Sequence, residues 1–185
     1  GDFLRLMMDR LVKTAKEVYT YTNISRNPIS VVSLAYRKLK EIKLAENPRI
    51  LVIGSGETNQ NFAKYLKKHK LSNFVVFNRT LKKEKKLAKE LNCEAYPLTE
   101  LANYKQGFDV MITCTGAAGS IIDNDLYQSL LNGDTDKKVI VDLAIPTDID
   151  ADVLTKNSIH YIEVSGLQAI AEKNIQERYN ELESA

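Results

Sequence analysis

The chain has 185 residues, 44% hydrophobic and 27% charged, which is typical of one compact globular domain and excludes a complete two-domain dehydrogenase. Its 26 Lys and Arg nearly balance 24 Asp and Glu, so no global basic field indicates a nucleic-acid-binding protein. No apolar run approaches the roughly 18 residues of a membrane span, so we expect no membrane segment. Two cysteines and two histidines are too few for a disulfide framework, a four-ligand zinc site or a His-rich metal centre, and without a signal-peptide pattern we expect a cytoplasmic protein.

The first 47 residues have the apolar spacing of two helices. From Phe3 to Val18, apolar residues recur three or four positions apart, as on one face of a helix. A second helix is predicted with Asn27 as N-cap and Pro28 at its first position, ending near 46–48 because the residue before a proline disfavours helical backbone. Residues 1–47 are therefore predicted to be helical and to flank the next domain without forming a core of their own.

From Pro48 to Gly166, short apolar runs alternate with helical segments. Runs that are apolar on both faces predict a parallel sheet covered by helices on both sides. The predicted strands are 50–53, 74–77, 110–112 and 139–141, with weaker candidates at 93–96 and 160–164. The predicted helices are 59–69, 81–91, 98–104, 124–131 and 150–154. Residues 48–166 are therefore predicted to form a Rossmann-like α/β domain, a doubly wound parallel sheet flanked by the N-terminal helices and a C-terminal helix.

Residues 167–185 are predicted to form a helix that continues to the end of the sequence. Ser165, with Gln168 three residues later, fits a capping box that would open this helix. An apolar stripe from Leu167 to Leu182 could pair with another copy or fold back on the leading helices. Because the first Met is Met7 and the last residues continue a helical pattern, neither end is expected to be a natural terminus.

The most specific motif connects the first predicted strand to the helix after it. Gly54 permits a tight turn, and Gly56 leaves the backbone open to a pyrophosphate on the helix N-terminus. Asn59 replaces the third glycine that normally lets helix and strand pack closely, which leaves the helix spacing open. A sharp turn without a ligand is the alternative. The candidate cofactor-binding residues here are Gly54, Ser55, Gly56, Glu57, Thr58 and Asn59.

The end of the second predicted strand is the next candidate cofactor contact. An NAD-binding unit has an acidic residue here to hold the ribose 2′-hydroxyl, whereas this sequence has Asn78, Arg79 and Thr80. With Lys83, these residues predict a cationic pocket for the 2′-phosphate of NADPH. A solvent-facing arginine is the alternative.

Two later turns are predicted to line the nicotinamide half of the site, because ligands of this fold lie at the carboxyl ends of the strands. They contribute Thr115, Gly116 and Pro146 as candidate cofactor-binding residues. Cys114 could be a nucleophile that forms a thioester, but the sequence shows no base nearby, and small buried cysteines are common at strand ends. Both interpretations stay open.

Together these motifs resemble those of the glutamyl-tRNA reductase family. The resemblance rests on segments in the family's order: 22–31, 53–57, 78–80, 114–117, 142–146 and 167–170 with Asn174 and Arg178. The sequence departs from the family at Asn59, at Thr147, where an arginine commonly follows the proline, and at 165–166, where a pair of aspartates is expected.

The resemblance implies an NADPH-dependent oxidoreductase that reduces glutamyl-tRNA to glutamate-1-semialdehyde in tetrapyrrole (porphyrin) biosynthesis. It also implies that residues 1–47 are a helical linker from a missing N-terminal catalytic domain and that residues 167–185 begin a long helix leading to a missing dimerisation domain. The nucleophilic cysteine would lie in that N-terminal domain, so this chain alone should be inactive and no catalytic residue is assigned. A homodimer is implied for the whole enzyme, and the downstream aminomutase is a candidate partner. The alternatives are a small NADP-dependent reductase of the shikimate-dehydrogenase-like type and a scaffolding domain that binds no cofactor.

Lysines crowd residues 64–70 and 82–89. Such runs are usually the solvated faces of amphipathic helices, and no interleaved aromatic residues indicate base stacking. A tRNA-binding surface is the alternative interpretation.

Overall fold

The computed structural model describes residues 2–3 and 28–184. The predicted first helix, apart from Phe3, and the predicted N-cap Asn27 lie outside the described residues. Within these residues, no helix is long and apolar enough to cross a membrane.

Six parallel strands form one sheet in the order β3-β2-β1-β4-β5-β6. The strands are β1 (Ile50–Ile53), β2 (Phe74–Asn78), β3 (Glu94–Pro97), β4 (Val110–Thr113), β5 (Lys138–Asp142) and β6 (Ile159–Glu163). The predicted Rossmann-like fold is therefore confirmed, and each predicted strand, including the two weak candidates, lies within one residue of its observed bounds.

Helices cover both faces of the sheet. They are α1 (Pro28–Lys40), α2 (Glu57–Lys68), α3 (Leu81–Leu91), a 3₁₀ helix (Leu98–Asn103), α4 (Asn124–Leu131), α5 (Ala151–Lys156) and α6 (Val164–Glu183). The period-2 alternation within each strand divides the core into two clusters. In β1, Ile50 and Val52 belong to the cluster under α1, α2, α3 and α6. Leu51 and Ile53 belong to the cluster under the 3₁₀ helix, α4 and α5.

The first described helix ends earlier than predicted. Helix α1 stops at Lys40 rather than near 46–48. The amides of Glu41 and Ile42 donate to carbonyls three residues back, at 3.2 and 3.1 Å, which tightens the last turn. The chain then leaves the helix, and Ile42 and Leu44 pack against the core. The sequence shows the proline that forbids a longer helix but not this earlier closure.

The predicted capping box at Ser165 is wrong. Helix α6 begins at Val164, its N-cap is the extended Glu163, and Ser165 lies inside the first turn. The physical reason is that β6 leads into α6 without a loop, so the buried Val164 is already helical.

Candidate functional site

A cleft of about 260 Å³ lies at the carboxyl ends of the central strands. Three turns meet there, because β1, β2 and β4 are neighbours in the sheet. The cleft is lined by Ser55, Gly56, Asn78, Arg79, Thr80, Leu98, Cys114, Thr115 and Gly116. The structure thus brings together seven of the predicted cofactor-binding residues from three separate segments. Leu98 was missed by sequence reasoning, and its only signal was its place directly after β3 at the same edge.

Gly54, Glu57, Thr58, Asn59 and Pro146 were also predicted as site residues and are not in the lining of the cleft. Glu57, Thr58 and Asn59 are in the first turn of α2, and Gly54 lies in the turn before it. Pro146 is on an exposed turn after β5. Lys83 lies on α3, and its side chain is outside the described part of the structure.

The predicted tight turn at Gly54 is confirmed. Gly54 has φ +90°, a backbone conformation that side-chain-bearing residues rarely adopt. Its amide donates to the Phe77 carbonyl at 2.8 Å, which fixes the loop against β2. A Cβ here would lie 2.4 Å from the Cys114 carbonyl oxygen. Only glycine therefore fits at this position.

Gly56 is required for a reason that the sequence did not show. A Cβ on Gly56 would lie 2.8 Å from Cys114 Sγ and 3.0 Å from the Cys114 carbonyl oxygen. The Gly56 amide also donates to that oxygen at 3.4 Å. The glycine at 56 therefore permits the turn after β4 to pack on the start of α2, in addition to any ligand approach.

Asn59, at the position of the missing third glycine, is accommodated by hydrogen bonds between α2 and the end of β1. Its side chain is fully buried, and Nδ2 donates to the carbonyl oxygens of Ile53 and Gly54 at 3.1 and 2.8 Å. Asn59 Oδ1 has no hydrogen-bond partner among the described residues. The amide thus links the first turn of α2 to the end of β1 and satisfies two carbonyls at the base of the glycine loop.

Asn78 joins the first two turns of the cleft. Its Nδ2 donates to Ser55 Oγ at 2.7 Å and to the Thr80 carbonyl at 3.4 Å. Arg79 and Thr80 are exposed. The buried Asn78 therefore orients the Ser55 hydroxyl while its two neighbours face solvent at the cleft edge.

A buried carboxylate holds the third turn of the cleft. Asp148 is 0% exposed and accepts from the Thr115 amide at 2.9 Å and from the Thr115 hydroxyl. Burial raises the pKa of Asp148, the Thr115 hydrogen bonds partly offset this, and the charge of Asp142 raises the pKa further. Sequence reasoning missed Asp148, whose only signal was its position two residues after the 142–146 turn that was assigned to the site.

A second buried carboxylate, Asp142, organises the turn after β5. It accepts from Thr113 Oγ1 at 3.2 Å, the Ala144 amide at 3.1 Å and the Tyr161 hydroxyl at 2.9 Å. Thr147 Oγ1 also donates to it. Thr147, where the resembled family commonly has an arginine, thus supplies a neutral hydroxyl to Asp142.

Cys114 has the environment of a packing residue rather than a nucleophile. Its thiol donates to the Leu143 carbonyl at 3.6 Å. Burial raises the pKa of Cys114 to about 11, and the charge of Asp148 also raises it. The group is therefore a protonated thiol near neutral pH, whereas a nucleophilic cysteine reacts as the thiolate.

The comparisons with known proteins agree with this geometry. The family described as shikimate / quinate 5-dehydrogenase matches residues 33–170, which is most of the chain. The chain belongs to this family. Its fold is therefore a nicotinamide-dinucleotide-binding fold.

Curated relatives of this chain carry the name glutamyl-tRNA reductase. The relative from Marinomonas sp. is 31% identical over 190 residues, covering 100% of this chain and 44% of the relative. The relative from Psychromonas ingrahamii is 34% identical over 167 residues, covering 89% of this chain and 40% of the relative. The chain thus spans less than half the length of these relatives, and the predicted resemblance to glutamyl-tRNA reductase is confirmed.

Solved structures that are similar to this chain also include glutamyl-tRNA reductases. The glutamyl-tRNA reductase from Methanopyrus kandleri has a TM-score of 0.67 and 27% identity, with 84% of this chain and 39% of that chain covered. The nucleotide-binding domain of the Thermoplasma volcanium glutamyl-tRNA reductase has a TM-score of 0.56 and 21% identity, with 82% and 95% covered. At that identity the second likeness shows the fold alone.

Replacing Gly56 with Ala should destabilise the protein by about 1–3 kcal/mol, because the new Cβ overpacks the Cys114 turn. Cys114→Ala removes the sulfur and should recover part of the loss, with a coupling of about 0.5 kcal/mol or more in a double-mutant cycle. Urea denaturation measures the free energies of unfolding of the wild type, the two single variants and the double variant.

Gly116→Ala is the matched control, since a Cβ there meets nothing within 4 Å, and it should change stability by less than about 0.5 kcal/mol. Additive effects at 56 and 114 would contradict the packing explanation.

Asp148 should make stability depend on pH. Because its folded pKa is raised above the ordinary 3.8, its contribution is largest below pH 3.8 and is lost as the pH rises through the folded pKa. The free energy of unfolding of the wild type, relative to Asp148→Asn, should therefore fall as the pH rises above 3.8, as measured by urea denaturation. Asp148→Ala is the control for geometry, since it leaves two Thr115 donors unpaired and should cost about 1–3 kcal/mol throughout. A wild-type advantage over the Asp148→Asn variant that grows with pH would contradict the assignment.

Proposed function

We propose that the chain is the NADPH-binding unit of a glutamyl-tRNA reductase, which reduces glutamyl-tRNA to glutamate-1-semialdehyde in tetrapyrrole biosynthesis. The names of relatives that match nearly all of the chain support this function. Residues 48–166 form the cofactor-binding domain in this proposal. Residues 1–47 and 167–185 connect it to a catalytic domain and to a dimerisation domain, respectively, in the cytoplasmic whole enzyme. That enzyme is a homodimer, and the downstream aminomutase is its candidate partner.

The observation that carries the proposal is the presence of Arg79 in the wall of the cleft. The start of α2, whose N-terminus has no side-chain cap, lies beside the glycine loop at one end of this cleft, where the positive end of the helix dipole favours a pyrophosphate. The guanidinium of Arg79 and the hydroxyl of Thr80 suit the dianionic 2′-phosphate that distinguishes NADPH from NADH. Bound in this cleft, NADPH supplies the hydride for the reduction.

Each turn of the cleft has a separate task in this proposal. The Asn78 amide orients the Ser55 hydroxyl toward the phosphates. Asp148 holds the Thr115 turn, so that Thr115 and Gly116 keep the shape of the cleft wall on the nicotinamide side. Exposed Pro146, on the turn that Asp142 organises, shapes the outer edge of that side.

Substituting Arg79 with Gln should abolish the preference for NADPH. The wild type should bind NADPH about 10- to 100-fold more tightly than NADH, because a charge-assisted contact to phosphate contributes about 1.5–3 kcal/mol. Arg79→Gln should lower NADPH affinity to that of NADH and leave NADH affinity unchanged, as measured by isothermal titration calorimetry. Arg37→Gln, an exposed arginine on α1, is the control and should keep the preference. Equal affinities in the wild type, or no binding of either dinucleotide, would reject the cofactor assignment.

The chain alone should not reduce glutamyl-tRNA. The buried Cys114 thiol, with its pKa raised to about 11, is a poor nucleophile, so the proposed acyl transfer needs a cysteine from another domain. Incubation of the chain with NADPH and glutamyl-tRNA, followed by an assay for semialdehyde, should give no product. Product formation that Cys114→Ser abolishes would restore Cys114 as the nucleophile and favour a small self-contained NADP-dependent reductase.

A further inference from the structure

The near-neutral net charge of the chain conceals a strong separation of charge. Residues 64–70 and 79–90 contain ten of the 26 Lys and Arg but only two of the 24 Asp and Glu. The rest of the chain therefore has 16 basic and 22 acidic residues, a formal charge of −6. A polyanion would meet a strongly positive charge at these two segments.

The two basic segments are adjacent in the fold. Helices α2 and α3 cover the same cluster of the core and contact each other. Lys64 Nζ lies 2.6 Å from Glu90 Oε2, and Lys67 Nζ donates to the Glu90 carbonyl at 2.7 Å. Glu90, one of the two acidic residues, is thus paired at the end where the helices meet. Glu84 is the second acidic residue, and the basic residues of the two segments still greatly outnumber these two acids.

We call the exposed lysines described on helices α2 and α3 the lysine ribbon: Lys67, Lys68, Lys82, Lys85, Lys86 and Lys89. Lys82, Lys86 and Lys89 follow one stripe of α3, since their spacing of four and then three residues repeats near the helical period. This stripe extends for roughly 10 Å, at about 1.5 Å rise per residue. The stripe begins three residues after Arg79, which lies in the wall of the cleft. It continues toward the end of α3 that meets α2.

The chemistry of the ribbon fits phosphates rather than bases. A lysine ammonium is a flexible point charge that binds phosphate oxygens without reading sequence. The single aromatic residue of the two segments is Tyr65. Its ring packs on Tyr36 and His69, with ring centroids 5.3 and 4.6 Å apart, so it is already engaged within the protein. A duplex RNA, recognised by backbone and shape, is the partner that this surface suits.

We propose that the lysine ribbon binds the phosphate backbone of a double-stranded stem of the tRNA substrate. This inference rests on the proposed function, which makes an aminoacylated tRNA the partner of the whole enzyme. It adds that the cofactor-binding domain itself contacts the RNA, along a surface that starts beside the cleft. The contact is sequence-independent and depends strongly on salt, because phosphate neutralisation releases counterions.

The test is the binding of glutamate-specific tRNA to the 185-residue chain, measured by fluorescence anisotropy across a series of KCl concentrations. The ribbon variant replaces Lys82, Lys85, Lys86 and Lys89 with Gln. At 100 mM KCl it should bind the tRNA at least about tenfold more weakly, and the slope of log K against log[KCl] should fall by about 3 to 4. A 20-base-pair RNA duplex should show the same losses.

The matched control removes the same number of charges elsewhere. It replaces the exposed Lys38, Lys43, Lys137 and Lys173 with Gln and should change tRNA affinity less than about twofold. Equal losses in both variants would show that net charge, rather than the ribbon, governs binding. Binding of phosphatidylserine vesicles at least as tight as binding of tRNA would also overturn the assignment to RNA, as would the absence of tRNA binding at 50 mM KCl.

A parallel titration with NADPH separates this inference from the proposed function. The ribbon variant omits Arg79 and Lys83, so NADPH affinity should equal that of the wild type, which also shows that the variant folds. Normal NADPH binding without ribbon-dependent RNA binding would reject the ribbon and leave the cofactor assignment standing. Ribbon-dependent RNA binding without NADPH binding would reject the cofactor assignment and support the ribbon.

Discussion

The close approach of the turn after β4 to the glycine loop is the constraint on which the cleft depends. The carbonyl oxygen of Cys114 occupies space that a side chain at position 54 would fill, and its sulfur occupies space that a side chain at position 56 would fill. Because β1 and β4 are adjacent parallel strands, their turns emerge side by side and must share this volume. The two glycines make that sharing compatible with a close-packed interior. In this chain, a motif associated with ligand approach therefore also serves the internal packing of the protein.

Buried polar groups complete the site where packing alone cannot shape it. Asn59 satisfies two carbonyls beneath the glycine loop, Asp148 binds the amide and hydroxyl of Thr115, and Asp142 gathers donors from β4, β6 and its own turn. Placing two carboxylates in the interior is costly unless hydrogen bonds compensate. Here each carboxylate accepts hydrogen bonds from several donors, which offset the cost of its burial. The same hydrogen bonds fix the positions of the turns at the edge of the cleft.

The sequence predicts most of the fold because apolar runs such as the one from Ile50 to Ile53 allow few structures other than a buried strand. The order of the turns around the cleft also follows from the sequence, since parallel strands present their carboxyl ends at one edge. The role of Asp148 and the packing of Cys114 on Gly56 could not be predicted, because each depends on a contact between residues that are distant along the chain. The early end of α1 depends on local hydrogen bonds in its last turn, which residue preference does not reveal. Ser165 does not cap α6 because β6 leads directly into that helix, which residue preference does not reveal either.

That continuous passage has a mechanical consequence. With no loop between β6 and α6, the long helix has no flexible joint at its base, and a change in its direction must twist the edge strand as well. Tyr161 in that strand donates to Asp142, which holds the turn after β5 beside the cleft. A change in the direction of α6 at its base would thus be transmitted to the turn beside the cleft through the pairing of β6 with β5 and through the Tyr161 hydroxyl.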